Sequence, residues 1–274
     1  MSVHRGAIEN SYQPWYEHIR NQEHAKGLFL TVALLCELAA CTDIVPTPCD
    51  YQAIDPALRM LVFTRTQGYR HEAITEGTAA LCDLAATRDW AIALTEDPAT
   101  FSAEGLADYD LTVWLLTYGD VLSETQEQAF EAFVAGGGGY VGIHSGTATE
   151  YDWPWYGEFV GAYFDEHPAI QTATMTVVDP THPATEHLAG TWQWEDEWYN
   201  FHAQPRAGVD ILLTVDESTY SGGTMGANHP IAWSHELDGG RMFQTSLGHR
   251  PASYSDPVFL EHLTGAIRWV GGLP

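Results

Sequence analysis

From residue 59 onward the chain alternates short apolar runs with stretches of helical spacing. Met60-Leu61-Val62-Phe63-Thr64 has strand length and enters a loop over 65–71. Ile74, Thr78, Leu81 and Ala85 then recur every three or four residues, which predicts a helix over 74–86. Residues 89–94 read as a second strand. The run 111–116 is nearly all apolar, as a strand covered on both faces of a parallel sheet must be. Ser123-Glu124-Thr125-Gln126 is a capping box that opens a helix carrying Ala129, Phe130, Phe133 and Val134 on one side, and the glycines at 136–139 end it. Residues 140–144 make a fourth strand. Strands alternating with helices predict an α/β fold, a doubly wound and mostly parallel sheet whose crevice lies outside the carboxyl ends of the strands. The loops after Thr64, Leu116 and His144 should converge there.

Past Trp153 the pattern loosens into β-like runs at 172–178, 209–215, 231–234 and 241–246, separated by loops rich in His, Trp and Gly. These read as β-rich C-terminal insertions. Asp256-Pro257 then caps a last helix bearing Phe259, Leu263, Ala266 and Val270. With no internal repeat and no long linker, residues 59–274 read as one domain.

Charge narrows the function. The 274 residues hold 37 Asp plus Glu against 11 Lys plus Arg, a formal net charge of −26 that repels phosphate backbones and anionic lipid alike. Nucleic acid is therefore not expected as a partner. The only lysine is Lys26, so the folded region has neither Schiff-base chemistry nor a P-loop. The cysteines, Cys36, Cys41, Cys49 and Cys82, form no CxxC pair, and Cys82 reads as a packed side chain of the 74–86 helix.

Ahead of the domain, the apolar run 28–35 follows Arg20 and Lys26 and ends at Leu38-Ala39-Ala40-Cys41, which resembles a bacterial lipoprotein signal with its lipobox. On that reading residues 1–40 are a signal segment, Cys41 carries the lipid, 41–58 is a tether, and the protein sits at the cell envelope or is secreted. The run is too short to span a bilayer, so a membrane enters only through the lipid anchor. Glu37 inside the lipobox and the acidic leader depart from the pattern. The alternative is an amphipathic helix packed on the domain of a cytoplasmic protein.

The most informative local motif is Gly142-Ile143-His144-Ser145-Gly146, where small residues flank a strand-end residue and permit a sharp elbow that exposes its side chain. The elbow residue is His144, and Ser145 lies one place past it, poorly set for a hydrolase nucleophile. Ten histidines fall between 71 and 262, none in an HExxH arrangement. Gathered imidazoles and carboxylates would suit a divalent metal, yet no spacing names a site. Glu195-Asp196-Glu197-Trp198-Tyr199 sets three carboxylates beside aromatic rings, either a sugar-binding surface or an acidic turn packed by aromatics.

Taken in order, Leu61-Val62-Phe63-Thr64 with Gly68-Tyr69-Arg70-His71, the stretch 136–144, Trp155-Tyr156-Gly157 through His167-Pro168, Thr181-His182-Pro183, Asp196-Glu197-Trp198-Tyr199, His229-Pro230-Ile231-Ala232-Trp233 and Gly240-Arg241-Met242-Phe243 through Gly248-His249 resemble the ThuA, or trehalose-utilisation, family over residues 60–270. The resemblance implies a flavodoxin-like, class I glutamine amidotransferase-like fold in which His144 stands where the amidotransferases keep their cysteine, so glutaminase activity is lost. It also implies carbohydrate metabolism, often beside sugar dehydrogenases that make 3-keto derivatives. Carried across, the family's recurrent positions give His71, His144, Glu197, Tyr199, His229 and His249 as catalytic candidates, with Trp198, Trp233 and Arg241 near the substrate.

Two functions follow as expectations. In one, an enzyme processes a trehalose-like or 3-keto sugar, with His71 or His144 as base and Glu197 as acid. No G-x-G-x-x-G follows a strand, so any redox step needs a separate dehydrogenase partner. In the other, the chain is a non-catalytic sugar-binding module tethered at the envelope.

Overall fold

The computed structural model describes Cys49 and residues 53–274; the signal reading over 1–40, lipidation at Cys41 and most of the 41–58 tether lie outside the described residues. At the centre β1 (Arg59–Phe63) runs between β2 (Ala91–Thr95) and β3 (Leu111–Leu115), and β4 (Gly139–Ile143) flanks β3, all parallel. Every residue of β3 and β4 is buried, and their side chains alternate between two layers. Met60, Val62, Val113, Leu115, Val141 and Ile143 enter the layer of α1 (Ile74–Arg88) and α5 (Pro257–Val270). Leu61, Phe63, Trp114 and Tyr140 enter the opposite layer, against α2 (Ala103–Leu106), α3 (Glu124–Ala135) and α4 (Pro154–Val160). Trp114 is the hub there, its ring 5.4 Å from Phe63 and Phe130 and 5.3 Å from Tyr156.

Local signals behave as the sequence predicts at the helix ends. The Gln126 side chain accepts from the Ser123 N–H at 2.8 Å, and α3 closes at Gly136. The stretch past Trp153, by contrast, is mainly the second half of the same sheet. It also contains α4, which the sequence reading lacks. β11 (Gly240–Thr245) lies parallel beside β4, and β10 (His229–Leu237), β9 (Asp210–Val215), β6 (Gln171–Val177) and β7 (Thr191–Asp196) continue antiparallel to the edge, giving the order β2-β1-β3-β4-β11-β10-β9-β6-β7. Among the described residues only β5 (Phe164–Glu166) and β8 (Asn200–Phe201) stand apart, as a two-stranded ribbon.

Cys82 is not the packed apolar side chain that the helix periodicity suggests. It is half-buried and bonded to Cys49, with Cα atoms 5.6 Å apart, fastening the chain ahead of β1 to α1. A partner 33 residues away leaves no trace in the spacing of a helix face.

Candidate functional site

Three loops from the parallel half meet beyond the strand ends. The loop after β1 bridges to the loop after β3 at Thr66 and Tyr118, where the Gln67 N–H donates to the Tyr118 carbonyl at 2.6 Å, and the loop after β3 bridges at Gly119 to Thr149 after β4. His144 stands at the centre with φ 57 and ψ −104, a backbone that costs a non-glycine residue about 1–3 kcal/mol and persists only when its surroundings fix it. They do so here. The His144 N–H donates to the Thr245 carbonyl at 2.7 Å, and the Gln244 amide donates to the His144 carbonyl at 3.1 Å. Gly142 and Gly146 leave room for this: a Cβ at Gly142 would overlap the Gln244 side chain, and one at Gly146 would stand 2.7 Å from the Tyr140 hydroxyl.

The tautomer of His144 follows from its partners. Its Nδ1 lies 2.7 Å from the Ser246 carbonyl, which can only accept, so the proton is on Nδ1 and Nε2 presents a lone pair. That lone pair accepts from the Tyr199 hydroxyl at 2.6 Å. Glu197 Oε2 lies 3.4 Å from His144 Nε2 and 3.1 Å from His249 Nδ1, and Glu197 Oε1 lies 3.5 Å from His167 Nε2. His71 closes the floor, its ring centroid 4.8 Å from that of His144 and 5.3 Å from that of His249.

Glu197, Tyr199 and His249 arrive from the antiparallel side, and Asp196 holds their loops together. This fully buried carboxylate accepts from the backbone N–H groups of Glu197 (3.0 Å), Gly248 (2.8 Å) and His249 (3.2 Å) and from the Trp194 indole (3.0 Å). Burial pushes its pKa up, and these hydrogen bonds pull the other way. For Glu197 the balance is reversed. Burial would raise it, but the hydrogen bond and charge of His249 hold it well below the usual carboxylate range. Burial lowers His249, and the bond and charge of Glu197 raise it further, for a net rise. His71 is pushed down to about 2 by burial and by the charge of His249, so it stays a neutral imidazole. Burial and the Glu197 charge raise Tyr199, which keeps its proton.

Of the residues singled out in the sequence, the structure thus brings together His71, His144, Glu197, Tyr199 and His249. His229 sits one layer behind, its Nε2 donating to the Tyr199 carbonyl at 2.7 Å and its Nδ1 facing Glu217 Oε1 at 2.8 Å. Trp198, Trp233 and Arg241 are not in this group. Trp198 is fully buried with its indole on the Gln171 carbonyl, Trp233 donates to the Val160 carbonyl in the opposite layer, and Arg241 binds Glu236 and the Trp269 carbonyl near the start of β11. Their aromatic or cationic character is spent on packing and fold contacts. The Ser145 hydroxyl is buried without a hydrogen-bonding partner among the described residues, so no base there activates it.

The residues that sequence reasoning missed are His167, Tyr69 and Asp196. The only pointer to His167 was the place of His167-Pro168 in the ordered family motifs. Tyr69, 56% exposed, meets His71 edge-on at 4.7 Å and forms the mouth with Tyr118. A cleft of about 460 Å³ lined by Leu106, Tyr109, Phe133 and Val270 lies at the amino ends of the strands, away from this chemistry, and no histidine lines it.

Comparison with known proteins agrees with this architecture. The model of the ThuA family, described as trehalose utilisation, matches residues 59–270. Among solved structures, a ThuA-like protein from Bacteroides uniformis superposes with a TM-score of 0.68 at 23% identity, covering 80% of this chain and 94% of that one. A second, from Parabacteroides merdae, gives 0.64 at 19% identity over 80% and 91%. A β-galactosidase from Bacillus circulans shares the fold over 32% of its own length, with a TM-score of 0.53, 16% identity and 80% of this chain covered. No curated protein matches the sequence. With the family model spanning the whole sheet and every member of the histidine floor, the chain belongs to the ThuA family.

Proposed function

We propose that this protein processes a trehalose-like sugar, or its 3-keto derivative, by acid/base chemistry at the histidine floor. The observation that carries the reading is the convergence of a protonated phenol, Tyr199, with three imidazoles and an ionised carboxylate around one point beyond the strand ends. A keto group acidifies the neighbouring C–H, so removing that proton leaves an enediolate whose oxygen needs a donor. Tyr199 is placed to be that donor. His167, 36% exposed at the rim beside Glu197, is placed to take the C–H proton. These roles differ from the sequence expectation of a His71 or His144 base and a Glu197 acid. Glu197 Oε2 already faces His249 Nδ1 as an acceptor, and His71 and His144 lie beneath the rim. Tyr69 and Tyr118 offer flat faces to the apolar side of a sugar ring.

Three wider expectations stand as part of this proposal. The strand order β2-β1-β3-β4-β11 supports a flavodoxin-like, amidotransferase-like reading of the parallel half. The Cys49–Cys82 disulfide supports an oxidising location outside the cytoplasm, in line with a lipoprotein anchored at Cys41. A separate sugar dehydrogenase supplies the keto sugar.

The test is a proton NMR time course on the purified full chain with trehalose and, separately, with its 3-keto derivative. New product signals from the keto sugar, slowed about 100-fold or more in Tyr199→Phe, are expected. Broadened sugar signals without product, equal in both proteins, would replace the enzyme with a sugar-binding module.

A further inference from the structure

We propose that His71, His144, Glu197 and His249 bind one divalent transition-metal cation, with zinc the best match to their donor set. One donor atom from each of the four lies within 4.8 Å of the others. Three pairwise distances are more telling: 3.3 Å from His144 Nε2 to His249 Nδ1, 3.4 Å from His144 Nε2 to Glu197 Oε2, and 3.1 Å from His249 Nδ1 to Glu197 Oε2. Ligands at tetrahedral angles about 2.0–2.1 Å from zinc stand about 3.3–3.4 Å apart, so these atoms form one face of a coordination tetrahedron. Hydrogen bonding alone leaves two features of the cluster unexplained. The His144 Nε2 lone pair is approached by both the Tyr199 hydroxyl and the His249 ring and can be filled well by only one. His71, 4% exposed, has a buried Nδ1 with no hydrogen-bond partner among the described residues. A buried imidazole ordinarily finds a partner, and a cation between the rings supplies one.

The outer contacts are those of a metal site. The Nδ1–H of His144 is donated to the Ser246 carbonyl, which fixes the tautomer with Nε2 turned inward. Three nitrogens and one oxygen suit zinc and its borderline neighbours better than magnesium or calcium, which take oxygen ligands. With the lone pair of His144 on the ion, the Tyr199 hydroxyl is released toward whatever oxygen the ion holds. The inference rests on the proposed function only in sharing its pocket, and there the cation would bind the carbonyl or a vicinal hydroxyl of the sugar and stabilise negative charge on that oxygen.

The experiment strips the full chain with EDTA, titrates it with Zn²⁺ by calorimetry, and repeats the titration with Co²⁺ while recording visible absorption. One equivalent per chain and the intense bands of four-coordinate cobalt are expected. His71→Ala and His249→Gln should each weaken Zn²⁺ binding about 100-fold or more, because even outer contacts to a ligand are worth about 10–100-fold. His202→Ala, which removes an exposed imidazole beside Asp165 and Tyr151, should change nothing. Thermal unfolding confirms that each variant is folded, and the two variants stand in for one another. Absence of saturable binding, or binding unchanged in both folded variants, overturns the site. The sugar reading fails separately: stoichiometric Zn²⁺ with no turnover of the keto sugar removes that reading and leaves the site standing, whereas turnover of the keto sugar by a chain that shows no saturable Zn²⁺ binding removes the site and leaves that reading standing.

Discussion

In the parallel half of the sheet, β3 and β4 bury every side chain, and the site residues of this half, His71 after β1 and His144 after β4, sit on short loops held by the strands themselves. In the antiparallel half, β6 and β7 alternate buried and open positions, and their residues, Glu197 and Tyr199, reach the site on a loop that leaves the sheet edge and is tied back by Asp196 and His229. The parallel half therefore positions by strand rigidity and backbone strain, the antiparallel half by buried polar contacts. A site built this way should tolerate changes within either half that spare these ties, and fail when a group at the meeting point is lost.

The largest expected effect is at that meeting point. His144→Asn keeps a residue tolerant of positive φ but loses the inward lone pair, so turnover of the keto sugar should fall about 10²–10⁴-fold while the unfolding midpoint moves little, read by kinetics and calorimetry on the same sample. Next comes reduction of Cys49–Cys82, which belongs to the parallel half alone. Opening a loop of this length should cost about 3–4 kcal/mol of stability without altering turnover at temperatures where the protein is folded, checked by denaturant unfolding with and without reductant. A rise in stability on reduction would refute the tie between the chain ahead of β1 and α1.

Glu150, after β4, gives a smaller and pH-dependent effect. Burial pushes its carboxyl up to about 8 despite the N–H bonds from Val121 and Leu122, and Asp120 and Glu127 add to the rise; the Tyr163 hydroxyl faces only its backbone carbonyl. The folded state then holds the proton more tightly than the unfolded chain. Its contribution is complete below about pH 4.5 and is lost as pH rises through about 8, at no more than about 1.4 kcal/mol per pH unit. Glu150→Gln should flatten stability over that window, and an unchanged slope in unfolding curves would remove Glu150 as its source. Smallest is Arg241→Ala: at the far end of β11 it should change stability by less than about 0.5 kcal/mol and turnover not at all.

What the sequence revealed divides along the same line. Nearly continuous apolar runs, a capping box and a glycine stop marked β1 to β4 and their helices, because in a parallel sheet burial is read directly from local composition. The antiparallel half was blurred. Thr191–Asp196 alternates with tryptophans on its covered face, and the two, Trp192 and Trp194, pack toward α5, where Trp194 lies 5.8 Å from Phe259. His71, His144, Glu197, Tyr199 and His249 emerged as candidates from the ordered family motifs, but their convergence did not, since it depends on a staple from Asp196 to residues 52 and 53 positions away. His167 and the Cys49 partner of Cys82 were hidden for the same reason.

The claim that the two halves make one chemical unit is tested most directly by a kinetic double-mutant cycle between His144→Asn, from the parallel half, and Tyr199→Phe, from the antiparallel half, on the 3-keto sugar. Their side chains meet at 2.6 Å, so the double variant should be little slower than the slower single one. Losses that multiply, leaving the double variant slower by the product of the two single effects, would mean that the residues act independently, and would contradict the account.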